Sequence, residues 1–92
     1  MKKADQELSP VLWFTLYSLL KIGGGARAVK ISTTQLAEIT GISQQSASRH
    51  LRSLEKIGMI RREFAEDGSL IQVTRKGMDS LRSVYHYLRR AF

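Results

Sequence analysis

Two short stretches of helical periodicity meet at a single glycine in TTQLAEITGISQQSASRHLRSLEK, residues 33–56, and this juncture restricts the fold more than any other feature of the chain. Leu36, Ala37 and Ile39 carry one apolar pattern, which stops at Gly41 and resumes at Ile42, Ala47, Leu51 and Leu54. Glycine accepts the left-handed backbone that closes a helix. Two helices joined by a turn of about three or four residues are therefore expected, which is a helix-turn-helix. Ala47, Leu51 and Leu54 at i, i+4 and i+7 form a stripe that can pack against the rest of the chain, and small Ala47 permits close approach. Gln44, Gln45, Ser48, Arg49 and Arg52 fall on another face, which remains available to something outside the protein.

The flanking elements follow from their start and stop signals. Ser9-Pro10 opens a first helix over 10–22: serine caps free N–H groups, and proline at the first helical position gives up an N–H that would be unpaired anyway. Gly23-Gly24-Gly25 ends it, and AVKIS, residues 28–32, predicts a short strand with Val29 and Ile31 on one face. Ser32-x-x-Gln35 is a capping box that opens the second helix at Thr33, and that helix ends near Thr40. Ser43 caps a third helix that runs to Ile57 and stops at Gly58. MIRREF and LIQVT are strand-like runs around AEDGS, where Asp67-Gly68 is expected to supply the positive dihedrals of a tight hairpin. Thr74 caps a last helix in which Met78, Leu81, Val84, Tyr85, Leu88 and Phe92 recur at helical spacing. The whole reads as one domain over 1–92 of α+β class, mostly α, with the helix-turn-helix at about 33–57, a hairpin at about 59–74 and the C-terminal helix at about 75–91.

Charge narrows the partners. Fifteen Lys and Arg against eight Asp and Glu give a net charge of +7, a balance suited to polyanions such as nucleic acid or an anionic membrane surface. The apolar run Val11–Ile22 is interrupted by Thr15, Ser18 and Lys21 and falls short of the roughly 20 residues that span a bilayer, so a buried helix is expected and no membrane partner. Lys2 and Lys3 before that run do not make a signal peptide, because Asp5, Gln6 and Glu7 intervene; a cytoplasmic location is expected. With no cysteine, disulfides, thiolate metal sites and cysteine nucleophiles are excluded. His50 and His86 lack partners at metal spacing, Gly23-Gly24-Gly25 lacks the Lys-Ser/Thr of a phosphate loop, and the carboxylates are scattered. No enzyme activity, metal or cofactor is expected. His50, beside the apolar stripe, is read as a packed or surface histidine, and Asp79 as a favourable charge near the start of the last helix.

STTQLAEITGISQQSASRHLRSLEKIGMIRR followed by EDGSLIQVTRKG resembles the winged helix-turn-helix of MarR-type transcriptional regulators. It is more closely similar to the N-terminal winged-helix domain attached to archaeal CTP-dependent riboflavin kinases. The resemblance covers about residues 31–88 and implies a winged helix-turn-helix fold and sequence-specific binding of double-stranded DNA. Confined to the winged-helix part, it implies no flavin or nucleotide chemistry.

In such a fold the third helix enters the major groove with its N-terminal residues near the bases. The expected base contacts are Gln44 and Gln45, whose amides pair with adenine, Ser46 and Ser48, and Arg49, which pairs with guanine. Expected backbone contacts are Ser32, Thr33 and Ser43 at helix N-termini, Arg52 and Lys56 further along, and Arg61, Arg62, Arg75 and Lys76 flanking the hairpin. Glu66 and Asp67 at the hairpin tip argue against deep minor-groove insertion, so its basic stems are expected to make the contacts. The first helix is apolar nearly all round, more than one small core uses, and Trp13, Phe14 and Tyr17 read as core or interface aromatics. A two-fold homodimer is therefore expected through Leu12, Trp13, Leu16, Leu20, Tyr85, Leu88 and Phe92. Two alternatives stand beside this reading: a protein-interaction module using the first and last helices, and the regulatory N-terminal part of a longer archaeal riboflavin kinase.

Overall fold

The computed structural model describes residues 9–25, 27–66 and 68–91. Helix α1, Pro10–Leu19, starts as its sequence predicts: the Ser9 hydroxyl accepts from the Leu12 amide at 3.3 Å and proline occupies the first turn. The regular helix stops short of Ile22. Leu20–Gly24 winds as a π-helical turn in which Gly23 takes φ 108°, a left-handed value that glycine alone adopts without a Cβ penalty. Strand β1, Val29–Ile31, exposes Lys30 and turns Val29 and Ile31 inward.

Helix α2, Thr33–Thr40, carries the complete capping box, with Ser32 Oγ accepting from the Gln35 amide at 3.0 Å and Gln35 Oε1 accepting from the Ser32 amide at 2.9 Å. Gly41, at φ 74°, closes it by donating to the Ala37 carbonyl. Helix α3, Gln44–Lys56, begins on the Ser43 hydroxyl, which accepts from the Ser46 amide at 3.1 Å. Strands β2, Ile60–Ala65, and β3, Gly68–Val73, form the hairpin, and helix α4, Arg75–Ala91, completes the chain. The antiparallel sheet is ordered β1-β3-β2.

Gly68 has the positive dihedral expected at the hairpin, φ 155°, but sits just past the loop. Ala65 pairs with Gly68, so the loop is Glu66 and Asp67, the latter outside the described residues, and Gly68 is the first residue of β3. Its lack of a side chain serves packing: a Cβ there would stand 3.1 Å from the Ile31 carbonyl at the end of β1.

Leu16 and Leu19 of α1, Leu36 of α2, Ala47, Leu51 and Leu54 of α3, and Ile31, Ile60, Ile71 and Val73 of the sheet converge on one core. The stripe predicted on α3 is thus the buried one. The inward face of α1 also carries Thr15 and Ser18, whose hydroxyls donate to the Val11 and Phe14 carbonyls one turn back and so enter the core satisfied. Helix α4 is seated by Thr74, whose amide donates to the Met59 carbonyl at 3.0 Å and whose hydroxyl donates to the Gly58 carbonyl at 2.6 Å. Three residues on, a Cβ at Gly77 would collide with that Met59 carbonyl, so only glycine allows this approach.

Candidate nucleic-acid interface

With Ala47, Leu51 and Leu54 buried, the helical period turns Gln45, Arg49, Arg52 and Lys56 outward at i, i+4, i+7 and i+11, and all four are exposed. Gln44 is exposed beside them at the N-terminus, while Ser46 and Ser48 are half-buried. Ser46 belongs to the cap: the Ser43 hydroxyl donates to its Oγ at 3.0 Å. Ser32 and Ser43 both commit their hydroxyls to caps, and Thr33 is half-buried, which leaves first-turn amides as the free donors at these helix starts.

The cations near the hairpin divide. Lys76 Nζ donates to the Ile57 carbonyl at 2.8 Å, placing a positive charge on the C-terminal end of α3 where the helix dipole favours it. Arg62 does not join the exposed set. Its side chain is only 12% exposed, its guanidinium meets Glu55 Oε1 of α3 at 3.1 Å, and its Cζ lies over the Phe64 ring, 5.1 Å from the centroid. The expectation of a phosphate contact from Arg62 is corrected by this internal pairing. Arg61, next along β2, points to the opposite face, where it borders a recess with Gly25, Gln72, Arg75 and Met78. The structure therefore gathers Gln44, Gln45, Arg49, Arg52 and Lys56 and leaves Arg61 and Arg75 away from them.

His50 is packed. Thr15 Oγ1 lies 3.0 Å from its Nδ1, and burial first, then the neighbouring Arg49 charge, hold its pKa below the ordinary 6.5. The residue that sequence reasoning passed over is Phe64, 82% exposed on the hairpin. The period-two alternation of Ile60, Arg62 and Phe64 along one strand face was the available signal.

A second feature lies between α1 and α4. Trp13, Phe14, Tyr17 and Leu20 of α1 with Met78, Leu81, Val84 and Tyr85 of α4 line an apolar groove of about 610 Å³, bordered by Arg82. Phe14, Tyr17 and Tyr85 are about half exposed there, at 50%, 49% and 59%. Of the residues expected at an interface, Leu16 is corrected: it is 0% exposed, inside the core, because α1 turns its Phe14 and Tyr17 side outward instead. Leu12 and Leu20 are partly buried against the core, Trp13 and Tyr85 line the groove, and the Leu88 side chain and Phe92 lie outside the described residues. Among the described residues no group of three or more His, Cys, Asp or Glu could hold a metal, and no helix is long and apolar enough to cross a membrane.

A helix-turn-helix whose second helix bears an exposed polar and basic stripe, followed by a hairpin and a C-terminal helix, defines a winged helix-turn-helix protein. The chain belongs to the MarR family, whose profile matches residues 8–68. It is 38% identical over 77 residues to a riboflavin kinase of Methanosarcina mazei, covering 84% of this chain and 34% of that protein. To a riboflavin kinase of Methanocorpusculum labreanum it is 42% identical over 71 residues, covering 77% and 32%. The chain thus spans about a third of the length of these relatives. Among solved structures, a MarR family protein from Bacillus stearothermophilus superposes with a TM-score of 0.75 at 18% identity, over 92% of this chain and 56% of that one. MepR, a transcription regulator of a Staphylococcus aureus multidrug efflux pump, superposes with a TM-score of 0.74 at 18% identity, over 96% and 69%. These likenesses establish the same fold.

Proposed function

We propose that this chain is a sequence-specific, double-stranded DNA-binding transcription regulator that acts by occupying an operator. The observation that carries the reading is the exposed stripe Gln45, Arg49, Arg52 and Lys56 on a helix whose other side is locked into the core. A helix about 10–12 Å across fits the major groove, about 12 Å wide. Gln44 and Gln45 are placed to pair with adenine and Arg49 with guanine, Ser48 contacts the groove edge, and Arg52 and Lys56 meet phosphates. First-turn amides at Thr33 and after Ser43 add phosphate contacts. Arg61 and Arg75 strengthen the positive field that draws the duplex in. These are binding and not catalytic roles, exercised where DNA is, in the cytoplasm of the cell.

The groove between α1 and α4 favours a two-fold homodimer, with Trp13, Leu20 and Tyr85 from the expected set joined by Phe14 and Tyr17. A contiguous apolar face of aromatic and aliphatic side chains is the kind of surface that marks an interaction site. Two-fold symmetry sets the recognition helices about one DNA turn, roughly 34 Å, or a multiple of it apart, so the operator is an inverted repeat.

The similarity to riboflavin kinases favours one second reading, in which the same DNA-binding domain regulates from within a longer kinase polypeptide. Both readings share the DNA-binding site. Selection of bound duplexes from a random library at physiological salt tests it: a shared inverted-repeat motif supports the proposal, and recovery of unenriched sequence refutes it.

A further inference from the structure

Strand β2 alternates, and the face that buries Ile60 also carries Arg62 and Phe64. Along this face Arg62 reaches back to α3, where its guanidinium pairs with Glu55 at 3.1 Å, while its Cζ lies over the Phe64 ring, 5.1 Å from the centroid, a cation–π contact. Glu55 is half-exposed on the helix that carries Arg52 and Lys56, and Phe64 is almost wholly open to solvent. Each is otherwise a liability: a carboxylate on a helix that faces phosphates, and an aromatic ring in water. Arg62 offsets both. The guanidinium, unlike an ammonium, can present an edge to a carboxylate and a face to a ring at once.

We propose that Arg62 is a positioning residue for DNA recognition: clamped between Glu55 of α3 and Phe64 of β2, it fixes the angle of the wing against the recognition helix and neutralises Glu55 without touching DNA. The inference rests on the reading that α3 enters the duplex. The clamp ties the hairpin to α3 at Glu55, within one turn of Arg52 and Lys56, so a wing that swings tilts the helix that reads the bases. Burial holds the arrangement in place, because parting from Glu55 would leave a guanidinium only 12% exposed without its charge partner, and this pairing stands against the cost of a buried Nε that has no acceptor.

The test measures affinity of the full chain for a selected duplex and for an unrelated duplex across a salt series. Wild type, Arg62→Met, Phe64→Ala, Glu55→Gln with Arg62→Met, and Arg52→Gln are compared at a temperature where circular dichroism shows all of them folded. Arg62→Met is expected to weaken the selected duplex by about tenfold, more than the unrelated one, and the double variant, in which no carboxylate is unmasked, to keep the slope of log K against log salt at the wild-type value. Arg52→Gln, which removes a phosphate contact, lowers that slope by about 0.9. Adding Glu55→Gln restores part of the loss, because it removes the carboxylate left without its partner. Phe64→Ala changes only an exposed ring and so folds even if Arg62→Met does not; it is expected to give a smaller loss with the same unchanged slope. A slope reduced by Glu55→Gln with Arg62→Met as by Arg52→Gln, or equal losses on both duplexes from Arg62→Met, overturns the positioning role while leaving DNA recognition by α3 standing. A wild-type chain with no salt-dependent affinity for any duplex overturns the DNA reading itself.

Discussion

The buried hydroxyl of Thr15 lies 3.0 Å from Nδ1 of His50, joining α1 to the recognition helix across the core. The same hydroxyl lies 3.1 Å from the Val11 carbonyl. With its single proton on that carbonyl the hydroxyl accepts from Nδ1–H of the imidazole, and with the proton turned to Nδ1 it donates to the other tautomer, so the pair is joined either way. Next to His50 stands Arg49, the residue assigned to guanine, so the groups that hold the helix and the groups that read with it alternate along the chain.

That environment makes stability depend on pH. Burial and the Arg49 charge depress the folded-state pKa of His50 below 6.5, so as pH falls the unfolded chain takes up this proton first. The contribution is fully present above the ordinary value and is lost as pH falls from there through the depressed folded value. Thermal midpoints at about pH 7.5 and about pH 5.5 should therefore drop more for wild type than for His50→Gln, which has no proton to gain. An equal drop in both contradicts the assignment.

Gly77→Ala tests the seat of α4. Its Cβ would drive into the Met59 carbonyl, a backbone group that cannot turn aside, and overpacking of this kind costs about 1–3 kcal/mol. Gly41→Ala meets open space and bears only the left-handed backbone penalty at φ 74°, about 1–2 kcal/mol. Urea midpoints should fall for both, and further for Gly77→Ala when Met59 cannot recede.

Sedimentation at micromolar concentration tests the assembly. Wild type should run as a dimer, and Tyr85→Glu, on a residue 59% exposed at the groove, should shift it to monomer while leaving the circular dichroism spectrum intact. A dimer unaffected by a charge in the groove places the interface elsewhere.

Salt response tests the electrostatic part of the account. If Arg52 and Lys56 each displace a counterion from a phosphate, replacing either by Gln lowers the slope of log affinity against log salt by about 0.9. Gln in place of Arg61, which the strand turns to the far face, should lower affinity modestly and leave that slope nearly unchanged. Equal slope changes at Arg61 and Arg52 would return the hairpin stem to the contact set.

What was legible in the sequence was what neighbours decide. Ser9-Pro10, the Ser32–Gln35 box, Gly41 and the Ala47-Leu51-Leu54 stripe act within a helical turn or two, and the structure uses each as its residue type requires. The side of α1 that faces the core was not legible. Val11–Ile22 is apolar nearly all round, so no moment distinguishes Leu16 from Phe14 and Tyr17, and the choice falls to what α3 and the sheet present. Gly68 takes the positive φ expected of it, but its place as the first residue of β3 was not legible, because the pairing of Ala65 with Gly68 depends on the register of whole strands. Arg62 read as one more cation because Glu55 becomes its partner only when the chain folds back after Gly58.

The most direct test of the central claim, that α3 reads base sequence through its exposed N-terminal stripe, is the affinity of wild type and Arg49→Ala for the selected duplex and for an unrelated one at the same physiological salt. The account predicts that wild type prefers the selected duplex by a factor of about 10³ or more, and that Arg49→Ala loses about 1–3 kcal/mol on that duplex with much less change on the unrelated one. Equal losses on the two duplexes, or a wild-type chain that binds them alike, would contradict it.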